Sequence, residues 1–385
     1  MQSNLSRQAR RILDCVRRKL GGSTVMTDSA HLSPVNSHNE WDPLEEVIVG
    51  SLKEATMPTG HPAVTFNVPR PASFLLGLFG GFRYPRFMVG PAEEELRGFI
   101  NVLEGEGVKV RQPKPTNFSR KFSTPHWSSR GYCAACPRDG YLVIGDEIIE
   151  TPMCWRTRYF ESLAYKELFI EYFRRGARWT SAPKPALSDD LFNTAYRIPR
   201  PGEKIKFVTN EAEPVFDAAD FVRCGSDLFC IRSNVTNELG IQWLERHLRG
   251  RYRIHRLKTT CRQPMHIDST FMPLAPGKVL VNPDFVDINE LPDILKKWDI
   301  LEAPRPDPVP GPILSLCSNW LSINVLMLDP QRVIVEASQK SMITALKGWG
   351  FVPIPVPFRN YAPFGGSFHC ATLDIRRRGE LRNYF

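Results

Sequence analysis

Tyr141-Leu142-Val143-Ile144-Gly145-Asp146-Glu147-Ile148-Ile149-Glu150 sets two four-residue apolar segments on either side of a Gly-Asp pair. That pattern predicts a β-hairpin. Just beyond it, residues 161–175 place Tyr165, Leu168, Phe169, Tyr172 and Phe173 at helical spacing, which predicts a helix packed by one face. Hairpins followed by helices argue against a simple parallel doubly wound sheet, in which single strands alternate with helices.

The same order recurs along the chain. Upstream, Leu44 to Gly50 reads as a strand and Pro91 to Glu106 as a helix, with Leu96, Phe99, Ile100 and Leu103 on one face. Pro91 suits the first turn, followed by Glu93, Glu94 and Glu95 at the positive end of the dipole. Downstream, strands around Asp217–Val222 and Asp227–Ile231 precede a helix over 237–249 with Ile241, Leu244 and Leu248. Next come His266–Phe271 and Lys278–Asn282, then a helix carrying Leu291, Ile294, Leu295 and Trp298. The fifth pass is Asn324–Leu328, Arg332–Glu336 and a helix carrying Met342, Ala345, Leu346 and Trp349. A strand over Phe351–Val356 follows, and a last strand containing Cys370 brings the chain back. Five such passes predict modules arranged about an axis, closed by the last strand. The helical stripes are assigned to packing and to no ligand.

The segment 1–36 reads as a basic tail and linker, leaving 37–385 as one domain. Much of the net charge of +9 sits in residues 1–20, where Arg7, Arg10, Arg11, Arg17, Arg18 and Lys19 face only Asp14. No aromatic-basic stripe stands out elsewhere, so nucleic acid is not expected as a partner. No apolar run approaches the roughly 20 residues of a membrane span, and Phe74–Phe79 reads as a buried turn or loop, or a lid. The nine cysteines follow no secretory signal and read as reduced thiols in the cytoplasm. Mitochondria are the alternative if 1–36 is a presequence. Cys133 and Cys136 read as two buried thiols rather than a zinc or redox pair.

Two glycines precede Cys370 in Phe364-Gly365-Gly366-Ser367-Phe368-His369-Cys370, where backbone can come close to a ligand. A thiol becomes a nucleophile as thiolate, which needs a base or cation nearby. Strand alternation points the adjacent His369 to the opposite face, so the base is sought elsewhere. His266 stands two residues before Asp268, a same-face spacing for a strand. Asp139, Asp217 and Asp220 lie in apolar surroundings, where carboxylates need partners. A thiol, a histidine and several carboxylates suit a planar cation, guanidinium above all.

At these residues the sequence resembles the glycine amidinotransferase family. The likeness runs through Asn39-Glu40-Trp41-Asp42-Pro43-Leu44-Glu45-Glu46-Val47-Ile48-Val49-Gly50, Pro137-Arg138-Asp139 and Ala182-Pro183-Lys184-Pro185. It continues in Phe216-Asp217-Ala218-Ala219-Asp220, Met265-His266-Ile267-Asp268 and Phe368-His369-Cys370. The resemblance implies a five-module α/β-propeller and amidino transfer from L-arginine to an acceptor amine through an amidino-cysteine, with ornithine released. It implies Cys370 as nucleophile, His266 as acid/base, Asp217 as its orienting carboxylate, Asp139 and Asp268 as guanidinium ligands and Ser318 as a substrate-binding serine. Small-molecule substrates and a homodimer are implied; no cofactor or metal enters the scheme. The family usually has Asn-Pro-Asp-Arg where this chain has Asn282-Pro283-Asp284-Phe285, and that arginine holds a substrate carboxylate. Arg262, where the family often has asparagine nearby, is the substitute considered. The divergence extends to the acceptor, for which lysine, glycine or a specialised-metabolite amine is expected. The competing readings are an arginine deiminase-like hydrolase and a non-catalytic arginine-binding protein.

Overall fold

Gly145, Gly225 and Gly277 turn the chain with φ of 58°, 70° and 76°. Glycine enters that region without a Cβ clash, so each serves as the turn of a hairpin. The structure is a computed structural model and describes residues 33–68, 70–308 and 318–385.

In chain order the first unit is β1 (Leu44–Val49), α1 (Arg86–Gly105) and β2 (Lys109–Arg111). The second is β3 (Tyr141–Ile144), β4 (Glu147–Glu150), α2 (Ser162–Arg174) and β5 (Arg178–Ser181). The third is β6 (Phe221–Cys224), β7 (Asp227–Cys230), α3 (Glu238–Leu248) and β8 (Arg253–Arg256). The fourth is β9 (Phe271–Ala275), β10 (Lys278–Val281) and β11 (Asp299–Glu302). The fifth is β12 (Leu326–Met327), β13 (Arg332–Glu336), α4 (Lys340–Gly348) and β14 (Val352–Val356).

In the last four units two strands pair antiparallel and the third returns parallel to the second. The first unit lacks a leading strand of its own. β15 (Thr372–Arg377) supplies it, antiparallel to β1, while β2 runs parallel to β1. The described residues thus hold five three-stranded sheets of one connectivity.

Several local expectations are corrected. α1 begins at Arg86, so Pro91 lies inside it rather than in its first turn. The ring can donate no hydrogen bond there, and burial of Ala92, Leu96, Phe99 and Leu103 carries the helix past it. The fourth unit has 3-10 turns, Ile288–Glu290 and Asp293–Leu295, in place of the expected helix. Pro292 separates them, removing a donor where a helix would need one. Phe173 is exposed, one position off the buried stripe of α2. Phe74–Phe79 belongs to a helix, Arg70–Phe79, that buries Leu76 and exposes Phe74, Leu78 and Phe79. Of the segment 1–36, residues 1–32 lie outside those described, whereas Val35 is buried and Asn36 Nδ2 donates to Arg377 O at 2.7 Å. The folded unit therefore starts slightly earlier than expected.

A short helical turn precedes the leading strand of every sheet. These are Pro137–Gly140 before β3, Ala218–Asp220 before β6, Ile267–Ser269 before β9 and Asn319–Ile323 before β12. The turn over 368–371 precedes β15. Pro137–Gly140 packs on Ala218–Asp220, that on Ile267–Ser269, and that on Asn319–Ile323. Beside them, Arg223 of β6 ties three sheets together. Its guanidinium donates to both oxygens of Glu40 (2.8 and 2.6 Å), to Asp374 of β15 (2.8 Å) and to Val143 O of β3 (2.9 Å). Buried ions are tolerated when every charge is partnered, and this arginine is.

Candidate active site

The helical turns supply the site. Cys370 lies in the turn before β15, not in the strand that its apolar-polar neighbourhood suggests. Gly366 lies against it: a Cβ built there would fall 2.5 Å from Sγ. Asn324, at the end of the Asn319–Ile323 turn, donates from Nδ2 to Sγ at 3.2 Å and accepts the Cys370 N–H at 3.2 Å. The thiol donates to Asp268 Oδ2 at 3.2 Å.

His266 and Asp268 do not share a strand face; they flank the start of a 3-10 turn. His266 has φ 61°, a backbone region costly for a residue with a Cβ. Its Nε2 lies 3.0 Å from Asp217 Oδ2, and its Nδ1 3.7 Å from Asp139 Oδ1. Asp217 stands just before the Ala218–Asp220 turn, and its N–H donates to Thr236 Oγ1 at 3.1 Å. Asp139 sits in Pro137–Gly140, with Oδ2 2.6 Å from Arg158 Nη1. Arg158 is in turn held by Glu161 at 2.7 and 2.8 Å. Asp139, His266 and Cys370 each bring one atom within 4.8 Å of the others, a spacing that suits a cation between them.

The electrostatics are uneven. Burial alone would discharge His266, but the charge of Asp139 and the hydrogen bond and charge of Asp217 raise it to about 10. Burial pushes the Cys370 thiol well up, and Asp268 and Asp139 push it further. Burial raises Asp139 against the opposing charges of His266 and Arg158. Asp220, buried and bonded by Ser233 and Thr236 at 2.6 and 2.5 Å, is raised to about 7. The resting site therefore pairs a protonated imidazole with a protonated thiol. One oxygen of Asp139 and one of Asp217 are buried without a hydrogen-bond donor among the described residues.

A cleft of about 420 Å³ opens onto Cys370, His266 and Asp268. Ser318, Asn67 and Gln263 line it with Val68, Met265, Phe285 and Leu321, and no lysine or arginine is among its described lining residues. Ser318 Oγ accepts from Trp320 N at 3.1 Å. Arg262 is not brought in: it is exposed and donates to Pro199 O at 2.9 Å. Arg305, near Phe285, is engaged by Asp284 at 3.0 and 3.1 Å. Cys133 and Cys136 are both buried.

Cys370, His266, Asp217, Asp139 and Asp268 are thus brought together, as expected from the sequence. Three participants were not foreseen. Asn324 reads in the sequence as the first residue of an apolar strand, and Arg158, between Thr157 and Tyr159, carries no pattern. His369 was set aside on strand alternation, yet its Nδ1 lies 2.8 Å from the same Asp268 oxygen that Cys370 meets. A turn, unlike a strand, lets neighbours reach one atom.

No family model matches the chain. It is 48% identical over 352 residues to an L-arginine:L-lysine amidinotransferase of Pseudomonas savastanoi pv. phaseolicola, covering 91% of this chain and 97% of that one. It is 44% identical over 369 residues to the mitochondrial glycine amidinotransferase of Danio rerio, covering 94% and 87%. Among solved structures it superposes with a TM-score of 0.86 on SxtG, an amidinotransferase from Microseira wollei in the saxitoxin biosynthetic pathway. That likeness has 56% identity and covers 91% of this chain and all of the other. Likeness of this extent, over a site built from the same cysteine, histidine and aspartates on which the resemblance rests, means that the chain belongs to the amidinotransferase family.

Proposed function

We propose that the chain transfers the amidino group of L-arginine to an acceptor amine through a covalent amidino-Cys370, releasing ornithine. The observation that carries this reading is the donorless buried oxygen of Asp139, grouped with the Cys370 thiol and the His266 ring, with a second such oxygen on Asp217 beside that ring. A guanidinium offers N–H donors all round its plane. Asp139 and Asp268 grip it and hold its carbon in line with Sγ. Its positive charge offsets the carboxylates that keep the thiol protonated.

In the first half-reaction the S–C bond forms and the C–N bond to ornithine breaks. The thiol proton ends on the departing nitrogen, delivered by His266, which is recharged from Cys370. In the second, the acceptor nitrogen bonds the amidino carbon and the S–C bond breaks. The acceptor's proton returns through His266 to the sulfur. Asp217 keeps the imidazole oriented and supports its charged form. Ser318 faces the substrate from the cleft wall, and Arg262 has no part in binding.

The acceptor is a variant one, lysine or a specialised-metabolite amine rather than glycine. Phe285 and its apolar neighbours suit the carbon chain of a longer amine, and no lysine or arginine of the described cleft lining stands in for the family's carboxylate-holding arginine. The reading extends to five sheets arranged as a propeller, supported by their shared connectivity, and to a cytoplasmic homodimer.

Incubation with arginine and a panel of amines, read by mass spectrometry, tests the reaction. An amidino adduct on Cys370 with arginine alone, absent in Cys370→Ala, is expected, as are guanidino products that favour long amines. Citrulline or urea as main products supports the hydrolase instead, and no adduct supports a binding protein. Turnover with glycine far above every other amine overturns the acceptor assignment alone.

A further inference from the structure

His369 is 1% exposed and stands between two carboxylates. Its Nδ1 lies 2.8 Å from Asp268 Oδ2 and its Nε2 3.2 Å from Glu40 Oε2. Ionised carboxylates only accept hydrogen bonds, so both ring nitrogens must donate to satisfy this geometry. Both acids are held ionised. Burial acts to raise Glu40, but Arg223 and His369 bring it well below the usual carboxylate range. Burial likewise opposes the lowering of Asp268, which His369 and His266 achieve.

The charges around this imidazole can be matched one by one. Asp268 and Glu40 face its ring, and Arg138 donates to its carbonyl at 3.3 Å. Behind them Asp374 meets Arg138, Arg223 and Arg377 at 2.6, 2.8 and 2.8 Å. Three arginines stand against these three carboxylates, and His266 also acts on Asp268, so a second proton on this ring adds positive charge beside the sulfur's partner. Through the shared Asp268 Oδ2 it faces the Cys370 sulfur, 3.2 Å from that oxygen.

We propose that His369 is a positioning residue: a doubly protonated imidazole, braced by Glu40, that fixes Asp268 against Cys370 and carries the charge against which the thiolate forms. This rests on Cys370 being the nucleophile of the amidinotransferase reading. Without the imidazolium, a forming thiolate would meet the Asp268 carboxylate unscreened. A neutral residue of similar size would hold the turn but not the charge.

Two measurements on the full chain, neither needing turnover, test this. The first follows alkylation of the Cys370 peptide by iodoacetamide against pH, by mass spectrometry, in wild type, His369→Gln and His369→Lys. His369→Gln is expected to move the alkylation midpoint upward by about one pH unit, about a tenfold slower reaction on the rising limb. His369→Lys is expected to return it towards wild type. An unmoved midpoint in folded His369→Gln overturns the proposal, because a merely structural role would change melting temperature and leave the thiol titration alone. The second is nitrogen NMR of histidine-labelled wild type near neutral pH, with the His369 signal identified by its displacement on Cys370 alkylation. Two protonated ring nitrogens are expected, and a neutral tautomer overturns the proposal even where the variants do not fold. Absence of the amidino adduct in wild type would instead count against the reaction itself.

Discussion

Asn324 and Cys370 hold each other twice, the amide donating to the sulfur at 3.2 Å and accepting the cysteine N–H at 3.2 Å. A donor aimed at sulfur favours its thiolate, and the second bond fixes the backbone from which the sulfur projects. Asn324→Ala should lower kcat/KM by about ten- to a hundredfold, the loss of roughly 1–3 kcal/mol expected for a buried hydrogen-bonding group. Asn324→Asp should be worse, since it sets a carboxylate against the sulfur. Steady-state kinetics decide, and an aspartate variant as active as wild type would count against this role.

Gly366→Ala should silence the enzyme while leaving most of its fold. The added methyl would sit 2.3 Å from Cys370 Cβ and 2.5 Å from Sγ, so the thiol must move. Displacement of a reacting atom by about 1 Å can cost on the order of a hundredfold in rate. Activity should therefore fall far more than melting temperature. Equal losses in a thermal melt and in arginine turnover would point to general unfolding instead.

His266 links the site to pH. Its folded value, raised to about 10, stands above the ordinary histidine value near 6.5. The stability it contributes is fully present below about pH 6.5 and is lost as pH rises through about 10. Denaturant unfolding should show the largest deficit of His266→Asn at pH 6, shrinking towards pH 10. A deficit that grows with pH would have the wrong sign.

Arg158 is the counter-ion of Asp139 and Glu161, at 2.6 and 2.7 Å. Arg158→Met strands two buried carboxylates and should cost about 3–5 kcal/mol at pH 8. Burial already raises Glu161 to about 7, so acid can discharge it. The deficit, measured by urea unfolding, should be smaller at pH 5 than at pH 8.

Hairpins with a Gly turn and helices with a wide apolar stripe were legible because their periods run for many residues. The gathering of Cys370, His266 and Asp217 was legible from residue type and family resemblance. What escaped was local geometry. A single helical turn leading into a strand has too few residues to show a period, so Phe368–Cys370 and His266–Asp268 read as strand extensions. In the turn, unlike a strand, His369 and Cys370 reach the same Asp268 oxygen. Pro292 marks the break in the fourth unit's helix, although the spacing of Leu291, Ile294, Leu295 and Trp298 around it is helical. Asn324 and Arg158 act through partners far away in the chain, which no local pattern encodes.

β15 is the last strand of the described unit to be synthesised, yet it leads the sheet that begins at Leu44. Until it arrives, one edge of β1 stays open, a template for wrong pairing. Contacts between such distant segments form slowly, because the intervening chain must be gathered first. The same step brings Cys370 to its partners. Assembly of the first sheet and placement of Cys370 against Asn324 and Asp268 are thus one folding event, and a nascent or partly refolded chain leaves that thiol without these partners.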